Sequence, residues 1–534
     1  MKTMLLLVPV AVGAALLMQT QIRGIDPDEL EHLHAACAIS WGDVPYRDFF
    51  EHHPPALYYL LQPILRVTGA ELPALAWSRL LMWLFGMAAL AATAGVAYRT
   101  SGKTAAMAAP ALLCCTTVFF SKTIEVRPDV PAMLLLSLAA FGIVASEKQR
   151  GLAALFVGFS LGLTILLTQK SLVPAAAMLF AQAIVFRHGR KTALILVGIT
   201  AVWVIAFGLF STAGAAGAFF HAAVVQLVRW PVRQNPITAL RPTLSADLPL
   251  WFGAAAAIVT TIRRNRATPA STNDAPAAAL LRLQCREFLS TVVALSFVGG
   301  LLIHAAYTQY YLLWFPLAAV LAADSFVRWG SGIFERRSRQ AVLLIAIALL
   351  AIEMELTLHA IQRGNNGALP HFIEQFSLRG FGVFAIVVLA ILPAIVGICC
   401  VRGRRGVAVF CLAAMGFGYA GLRNFDAVCW SNLDQMAYIE LVDQKVAPDE
   451  TVFDGYTGLG VFRRHAYYYW WLNPYSLALM SPDQRGRELL AALKKSPPKI
   501  VCFDENIKRL PQSVQAWIAE NYRPLQPPLY VRNK

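Results

Sequence analysis

Charge is scarce in this chain. Only 14% of its 534 residues are Asp, Glu, Lys or Arg, against 57% hydrophobic ones. A water-soluble protein of this length seldom has that balance. Signatures of soluble enzymes are scarce as well. No glycine-rich phosphate loop and no H-E-x-x-H occur, so a Rossmann-type nucleotide-sugar enzyme and a zincin are excluded. The nine cysteines contain no C-x-x-C pair, which leaves a cysteine-built metal site without support. Cys114, Cys115, Cys399, Cys400 and Cys411 fall in apolar runs, where cysteine packs as a small hydrophobe. Cys429 and Cys502 lie outside such runs. Free thiols are expected there, with a disulfide as the alternative in an oxidising compartment. No fixed-period repeat is present. The formal charge is +15, but the basic residues sit in short loops between apolar runs. That is membrane topology, and no nucleic-acid partner is expected.

What is abundant is apolar sequence in lengths that cross a bilayer. Backbone groups in lipid must be satisfied internally, so the runs are expected to be helices. Met1–Gln19 has one lysine and no small-residue cleavage site near its end, which reads as a retained signal-anchor helix. Further candidate spans are Leu75–Tyr98, Ala105–Phe120, Pro131–Ala145, Leu152–Thr168, Leu172–Phe186, Thr192–Thr212, Leu248–Ile262, Phe288–His304, Tyr310–Val327, Ala341–Leu358, Phe381–Cys400 and Val407–Leu422. The expectation is an α-helical polytopic membrane protein with about 13 transmembrane helices. A flexible cytoplasmic linker is expected within Arg263–Glu287. From about Arg423 no run is long enough to span. Thr451–Asp454 and Lys499–Asp504 read as buried strands, and Asn432–Lys445 and Pro511–Asn521 as helices. A small C-terminal α/β domain over 423–534, after a transmembrane part over 1–422, follows from this.

The loops alternate in charge. One set carries Arg99/Lys103, Lys148/Arg150, Arg187/Arg190/Lys191, Arg263/Arg264/Arg266, Arg336/Arg337/Arg339 and Arg402/Arg404/Arg405, and is expected in the cytoplasm with the N-terminus. The other set is then extracytoplasmic. It comprises the first loop (20–73), Ser121–Asp129, Gln169–Ser171, Ala213–Asp247, His304–Gln309, His359–Arg379 and the C-terminal tail.

The first loop is unlike the rest. From Asp26 to Tyr59 it reads DPDELEHLHAACAISWGDVPYRDFFEHHPPALYY, and it leads into an amphipathic run, Ala56–Val67. Asp28 and Glu29 offer a general base at the membrane surface; the bland alternative is a solvated acidic loop. In Glu51-His52-His53-Pro54-Pro55 two prolines fix the backbone and bar a regular helix. The histidines can act as acid, cation or metal ligand, or sit at the interface with no chemical role. Glu125, Arg127 and Asp129 lie in a very short outer loop, where ionisable groups near hydrocarbon are functional candidates and natural partners for one another. Lys170 ends the fifth span on the outer side, against the inside rule; simple snorkelling is the alternative. Arg229, Arg233 and Arg241, with Trp230, can grip a phosphate or anchor at the interface. Arg79 lies inside the second span and needs a partner that the sequence does not name. His304 and Tyr307–Tyr311, including Tyr310, look most like an aromatic belt.

These residues together resemble the glycosyltransferase C superfamily, nearest its bacterial members related to protein O-mannosyltransferases and to the lipid A aminoarabinose transferase. The resemblance rests on the Asp28-Glu29 pair and on G-x-x-P-Y-x-D-F-F-E-H-x-P-P-x-x-Y-Y from Gly42 to Tyr59. Arg127-Pro128-Asp129, Lys170 and Gln309-Tyr310-Tyr311 are weaker echoes. The family implies transfer of a sugar from a polyprenyl-phosphate donor, with inversion, outside the cytoplasm. The acceptor is a lipid, a glycan or a protein, and a bacterial cytoplasmic (inner) membrane is the implied location. Asp28 matches the catalytic base, with Glu29 beside it. Glu51, His52, His53, Arg127, Asp129, Lys170, Arg229, Arg233 and Tyr310 are the expected donor-phosphate or substrate contacts. The position before the two prolines is a phosphate-binding lysine in the aminoarabinose transferases. Here it is His53, so the phosphate role is expected to pass to Lys170 or to the arginines of Ala213–Asp247. Metal dependence varies in the family; no cofactor is fixed, and a divalent metal would have His52 and His53 as candidate ligands. Competing readings are a lipid or glycan transporter or flippase, a glycan polymerase or ligase, and a non-catalytic receptor. The first predicts inverted repeats with broken helices, which the sequence does not show.

Overall fold

The computed structural model describes residues 2–145, 151–226, 234–267, 277–303, 307–333 and 431–533. The expected spans Ala341–Leu358, Phe381–Cys400 and Val407–Leu422 lie outside the described residues, as do Arg229, Trp230, Arg233, His304 and Cys429.

Eight helices form the first part: α1 (Lys2–Ile22), α2 (Pro27–Ser40), α3 (Ala56–Thr68), α4 (Leu72–Ser101), α5 (Lys103–Cys114), α6 (Thr117–Lys122), α7 (Asp129–Ala145) and α8 (Gly151–Leu167). Leu172–Ala181, Gly189–Thr212, Pro236–Ala246, Leu248–Ala267, Ala277–Leu301 and Phe315–Ile333 follow. Among the described residues, three segments are long and apolar enough to cross a bilayer: Leu72–Ser101, Gln169–Phe186 and Gly189–Thr212. A fourth arises if Pro236–Leu244 and Leu248–Arg264, bent by 101°, count as one.

Several expected spans are broken for local reasons. Ala105–Phe120 stops at Cys115, because the Thr116 hydroxyl accepts from Phe119 N at 3.3 Å and caps a new helix, α6. The tenth span opens with a tight 3-10 turn, Thr308–Leu313, before its helix. The expected linker is shorter than Arg263–Glu287. Residues 263–267 and 277–287 at its two ends are helical, in Leu248–Ala267 and Ala277–Leu301. The outer segment Ala213–Asp247 also carries helices, at Ala216–Phe220 and Pro236–Ala246.

α8 packs on helix Gly189–Thr212 with backbones in contact. A Cβ on Gly158 would lie 2.3 Å from the Ile195 carbonyl oxygen, and one on Gly198 2.7 Å from that of Leu155. Small residues at such crossings gain van der Waals contact where lipid offers no hydrophobic drive. Gly158, Ser160 and Gly162 spell G-x-S-x-G within α8. They lie in mid-helix and form no strand-to-helix turn, so they make no nucleophile elbow.

Residues 433–532 build a five-stranded sheet flanked by helices. Its strands are β1 (Thr451–Asp454), β2 (Arg464–His465), β3 (Ile500–Cys502), β4 (Tyr522–Gln526) and β5 (Leu529–Arg532), in the order β2-β1-β3-β5-β4. β1 runs parallel to β2 and β3, whereas β5 is antiparallel to β3 and β4. Phe453, Val501, Leu489, Val514 and Ile518 fill its core. Cys502 is a buried free thiol.

This unit is stitched to the first loop. Gln435 exchanges hydrogen bonds of 2.8 Å with the Ile25 backbone in both directions. Arg464 pairs with Asp43 at 2.8 Å, and Trp470 Nε1 donates to the Phe50 carbonyl at 2.8 Å. Gly458 has φ +72°, and a Cβ there would meet Leu30 of α2 at 2.5 Å. Only glycine allows that turn to lie against that helix.

Candidate active site

The first loop is a buried helix more than a loop. Asp26 caps α2 by accepting from Asp28 N at 3.0 Å, and Glu29 Oε1 accepts in return from Asp26 N at 3.0 Å. With Pro27 in the first turn, this D-P-D-E start is a capping box. Residues Glu29 to Ala38 are buried. The cap sets the fate of the neighbouring acids. Asp28 is left at the helix N-terminus, which favours a carboxylate.

Glu29 faces the other way. Its side chain is fully buried, and Arg79 of α4 grips it with Nη2–Oε1 at 2.6 Å and Nε–Oε2 at 2.8 Å. Val126 N adds a bond of 3.1 Å to Oε2. Arg79 spends its other protons on the carbonyls of Arg23 and Gly24, at 2.8 and 3.0 Å. The partner that Arg79 needs is therefore Glu29.

Arg127 is the hub on the other side. Its Nη2 lies 2.9 Å from Asp26 Oδ1 and 2.9 Å from Asp28 Oδ2, and its Nε pairs with Glu125. Glu125 also takes Lys122 at 2.9 Å and Arg23 at 3.3 Å. Burial works to raise the Asp28 carboxyl. The charge of Arg127, with Lys170 further off, outweighs it and holds the group below the usual carboxylate range. Asp28 keeps 33% of its side chain exposed. On its open side the Tyr456 hydroxyl, from the turn after β1, donates to Oδ1 at 3.4 Å.

Lys170 lies in the turn Gln169–Ser171. Its Nζ is 3.6 Å from Asp129 Oδ2 and 4.5 Å above the Tyr310 ring. Lys170, Tyr307, Tyr310 and Trp314 line a groove together with Val173 and Ser296. Tyr307 and Tyr475 share a hydroxyl–hydroxyl bond of 2.8 Å, and Gln234 donates to both at 3.2 Å.

Next to Asp28, one helical turn along α2, Glu31 meets Glu51, His52 and His53. One ligand atom from each of the four lies within 4.8 Å of all the others. Burial, then the charges of Glu51 and Asp28, push Glu31 well above the usual carboxylate range. Burial pushes His52 down to about 3 and drives His32 down as well. Tyr46 holds the turn in place. It adopts φ +70°, and its hydroxyl donates to the His53 carbonyl at 2.7 Å.

Thus Asp28 pairs with Arg127, and Asp129, Lys170 and Tyr310 form a second set of contacts joined to the first through the short segment Arg127-Pro128-Asp129, with Glu51, His52 and His53 beside Asp28. Glu29 is turned inward, away from them. Arg229 and Arg233 lie outside the described residues. Tyr456, Lys122 and Arg23 were not singled out from the sequence. Lys122 and Arg23 do lie in the outer set of loops or at its edge, but nothing local marks Tyr456.

Comparisons with known proteins follow this geometry. The family model described as dolichyl-phosphate-mannose-protein mannosyltransferase matches residues 52–212, which leaves Asp28 outside the matched stretch. Comparison with curated protein sequences gives no match. Among solved structures, ArnT from Cupriavidus metallidurans in the apo state superposes with a TM-score of 0.62 at 17% identity, over 86% of this chain and 84% of that one. The same protein bound to undecaprenyl phosphate gives 0.59 at 16% identity, over 86% and 84%. The apo oligosaccharyltransferase of Archaeoglobus fulgidus gives 0.50 at 12% identity, over 94% of this chain and 69% of that one. The chain therefore shares its fold with ArnT, and over residues 52–212 it is similar in sequence to the dolichyl-phosphate-mannose-protein mannosyltransferases.

Proposed function

We propose that the chain is an inverting glycosyltransferase that moves a sugar from a polyprenyl-phosphate donor to a lipid, glycan or protein acceptor on the extracytoplasmic face. The observation that carries this reading is the partly exposed Asp28 carboxylate, set between Arg127 and Tyr456 beside the Lys170–Tyr310 groove. The undecaprenyl phosphate bound to the similar ArnT fold supports the donor class.

The acceptor hydroxyl or amine attacks the anomeric carbon as the bond to the donor phosphate breaks. Its proton passes to Asp28, and the phosphate leaves with the bond electrons. A carboxylate held at low pKa is a modest base. It suits a proton that becomes acidic only as the new bond forms. Lys170 makes no hydrogen bond among the described residues and has its protons available for the leaving phosphate. His53 is engaged with Glu51, in keeping with a shift of the phosphate role to Lys170. Glu29 and Arg127 are positioning residues: the first fixes α2, the second keeps Asp28 ionised. Segments of the expected outer set, namely the first loop, Ser121–Asp129, Gln169–Ser171, the turn before Phe315 and the C-terminal unit, all converge here. That convergence supports one shared side, with the C-terminal unit extracytoplasmic and a bacterial inner membrane as the setting.

The test is incubation of the purified full-length protein and acceptor-containing membranes with a panel of radiolabelled polyprenyl-phosphate sugars. One donor is expected to lose its label to an acceptor. Failure of every donor, with protein that is folded by thermal melt, would overturn the reading.

A further inference from the structure

Every other carboxylate of this cluster has a lysine or arginine within ion-pair distance. Asp26 has Lys122 and Arg127, Asp28 has Arg127, Glu29 has Arg79, Glu125 has three cations, and Asp129 has Lys170. Glu31 and Glu51 are the exceptions. Among the described residues neither has a lysine or arginine within ion-pair distance: both face His52 and His53, and Glu51 also faces the Tyr58 hydroxyl, although they are 3% and 2% exposed. Two carboxylates buried together without a cation are costly.

The geometry points to a divalent transition-metal site of the zinc class, held by Glu31, Glu51, His52 and His53. His52 Nδ1 lies 3.6 Å from Glu31 Oε1 and 3.6 Å from Glu51 Oε1; His53 Nδ1 lies 3.9 and 3.2 Å from the same two oxygens. Metal–ligand bonds of about 2.0–2.2 Å place the corners of a tetrahedron roughly 3.3–3.6 Å apart. The four carboxylate–imidazole separations are already near that spacing, and one ligand atom from each residue lies within 4.8 Å of the other three. Two imidazole nitrogens with two carboxylate oxygens suit zinc, cobalt or ferrous ions better than magnesium or calcium.

The supports are in place too. Glu51 Oε1 accepts from the backbone N–H of His52 and His53 at 2.8 and 2.9 Å, which fixes that carboxylate. Its Oε2 is buried, and the buried Tyr58 hydroxyl is the polar group that Glu51 faces on its other side. The ring of His32 stands edge-on to His53, with centroids 4.9 Å apart. Four protein ligands fill a tetrahedral shell, so the ion would be a structural clamp. It ties α2 to the Glu51–Pro55 turn, one helical turn from Asp28. The inference stands on this cluster alone and does not depend on the transferase reading.

The experiment uses full-length protein in detergent, purified without chelator and assayed for metals by mass spectrometry. It is then stripped and titrated with Co2+, with absorbance and thermal melting as readouts. One ion per chain is expected, together with visible bands of tetrahedral cobalt and a raised Tm. The double variant His52→Ala/His53→Ala and the isosteric Glu31→Gln should each weaken binding at least tenfold, while Asp28→Asn binds as the wild type does. If the double variant fails to fold, Glu31→Gln and the wild-type titration decide. Stripped wild type that takes up no Co2+ or Zn2+ at micromolar concentration would overturn the site. So would a Glu31→Gln protein that binds as tightly as the wild type.

Discussion

Adjacent acids do different work here, and the capping box decides which. Glu29 reaches back to the cap and is locked inward by Arg79, whereas Asp28 stays at the rim. Asp28→Asn is expected to abolish transfer with Tm unchanged, because the amide keeps the shape and loses the base. Glu29→Gln should do the opposite. It leaves Arg79 buried without its counter-ion, a loss of about 3–5 kcal/mol for a broken buried pair, read as a large drop in Tm. Arg127→Gln bears on pH. Arg127 lowers the Asp28 carboxyl, so its charge is retained down to low pH and lost only as pH falls through the lowered value. Without Arg127 the carboxyl rises, and the acid limb of the rate profile should move to higher pH. An unmoved limb would show that Asp28 does not set it. Asp28 was legible because an acidic pair beside a membrane is conspicuous. The inward turn of Glu29 was not, since no local signal names a partner for Arg79.

At the scale of elements, strands and helices were read well where their pattern was local. Thr451–Asp454 is a short apolar run and forms β1 as expected. Helix breaks within apolar stretches were invisible: Thr116 starts α6 through one hydroxyl bond. α2 was read as a polar loop because its acids and histidines hide its periodicity. They are buried by pairing with distant segments, which no local signal reports. The glycine turn at 458 shows how closely the C-terminal unit sits on α2. Gly458→Val should cost about 1–3 kcal/mol of overpacking, plus the strain of positive φ. Limited proteolysis should then release the C-terminal unit sooner than from the wild type.

At the scale of the whole molecule, the alternation of loop charge makes the expectation of sidedness. Segments hundreds of residues apart, all assigned to one side by that alternation, meet at Asp28. The rule works because lysine and arginine resist translocation, so topology is written in the loops even when span ends are not. A cysteine placed at Glu505 should react with a membrane-impermeant thiol reagent on intact cells, and one at Arg99 only after lysis. The reverse pattern would place the acidic site in the cytoplasm.

The most direct measurement compares sugar transfer by wild type, Asp28→Asn and Glu29→Gln, each matched for folded protein by thermal melt. The expected result is full transfer by the wild type, none by Asp28→Asn, and residual transfer by whatever Glu29→Gln protein remains folded. Undiminished transfer by folded Asp28→Asn would contradict the account.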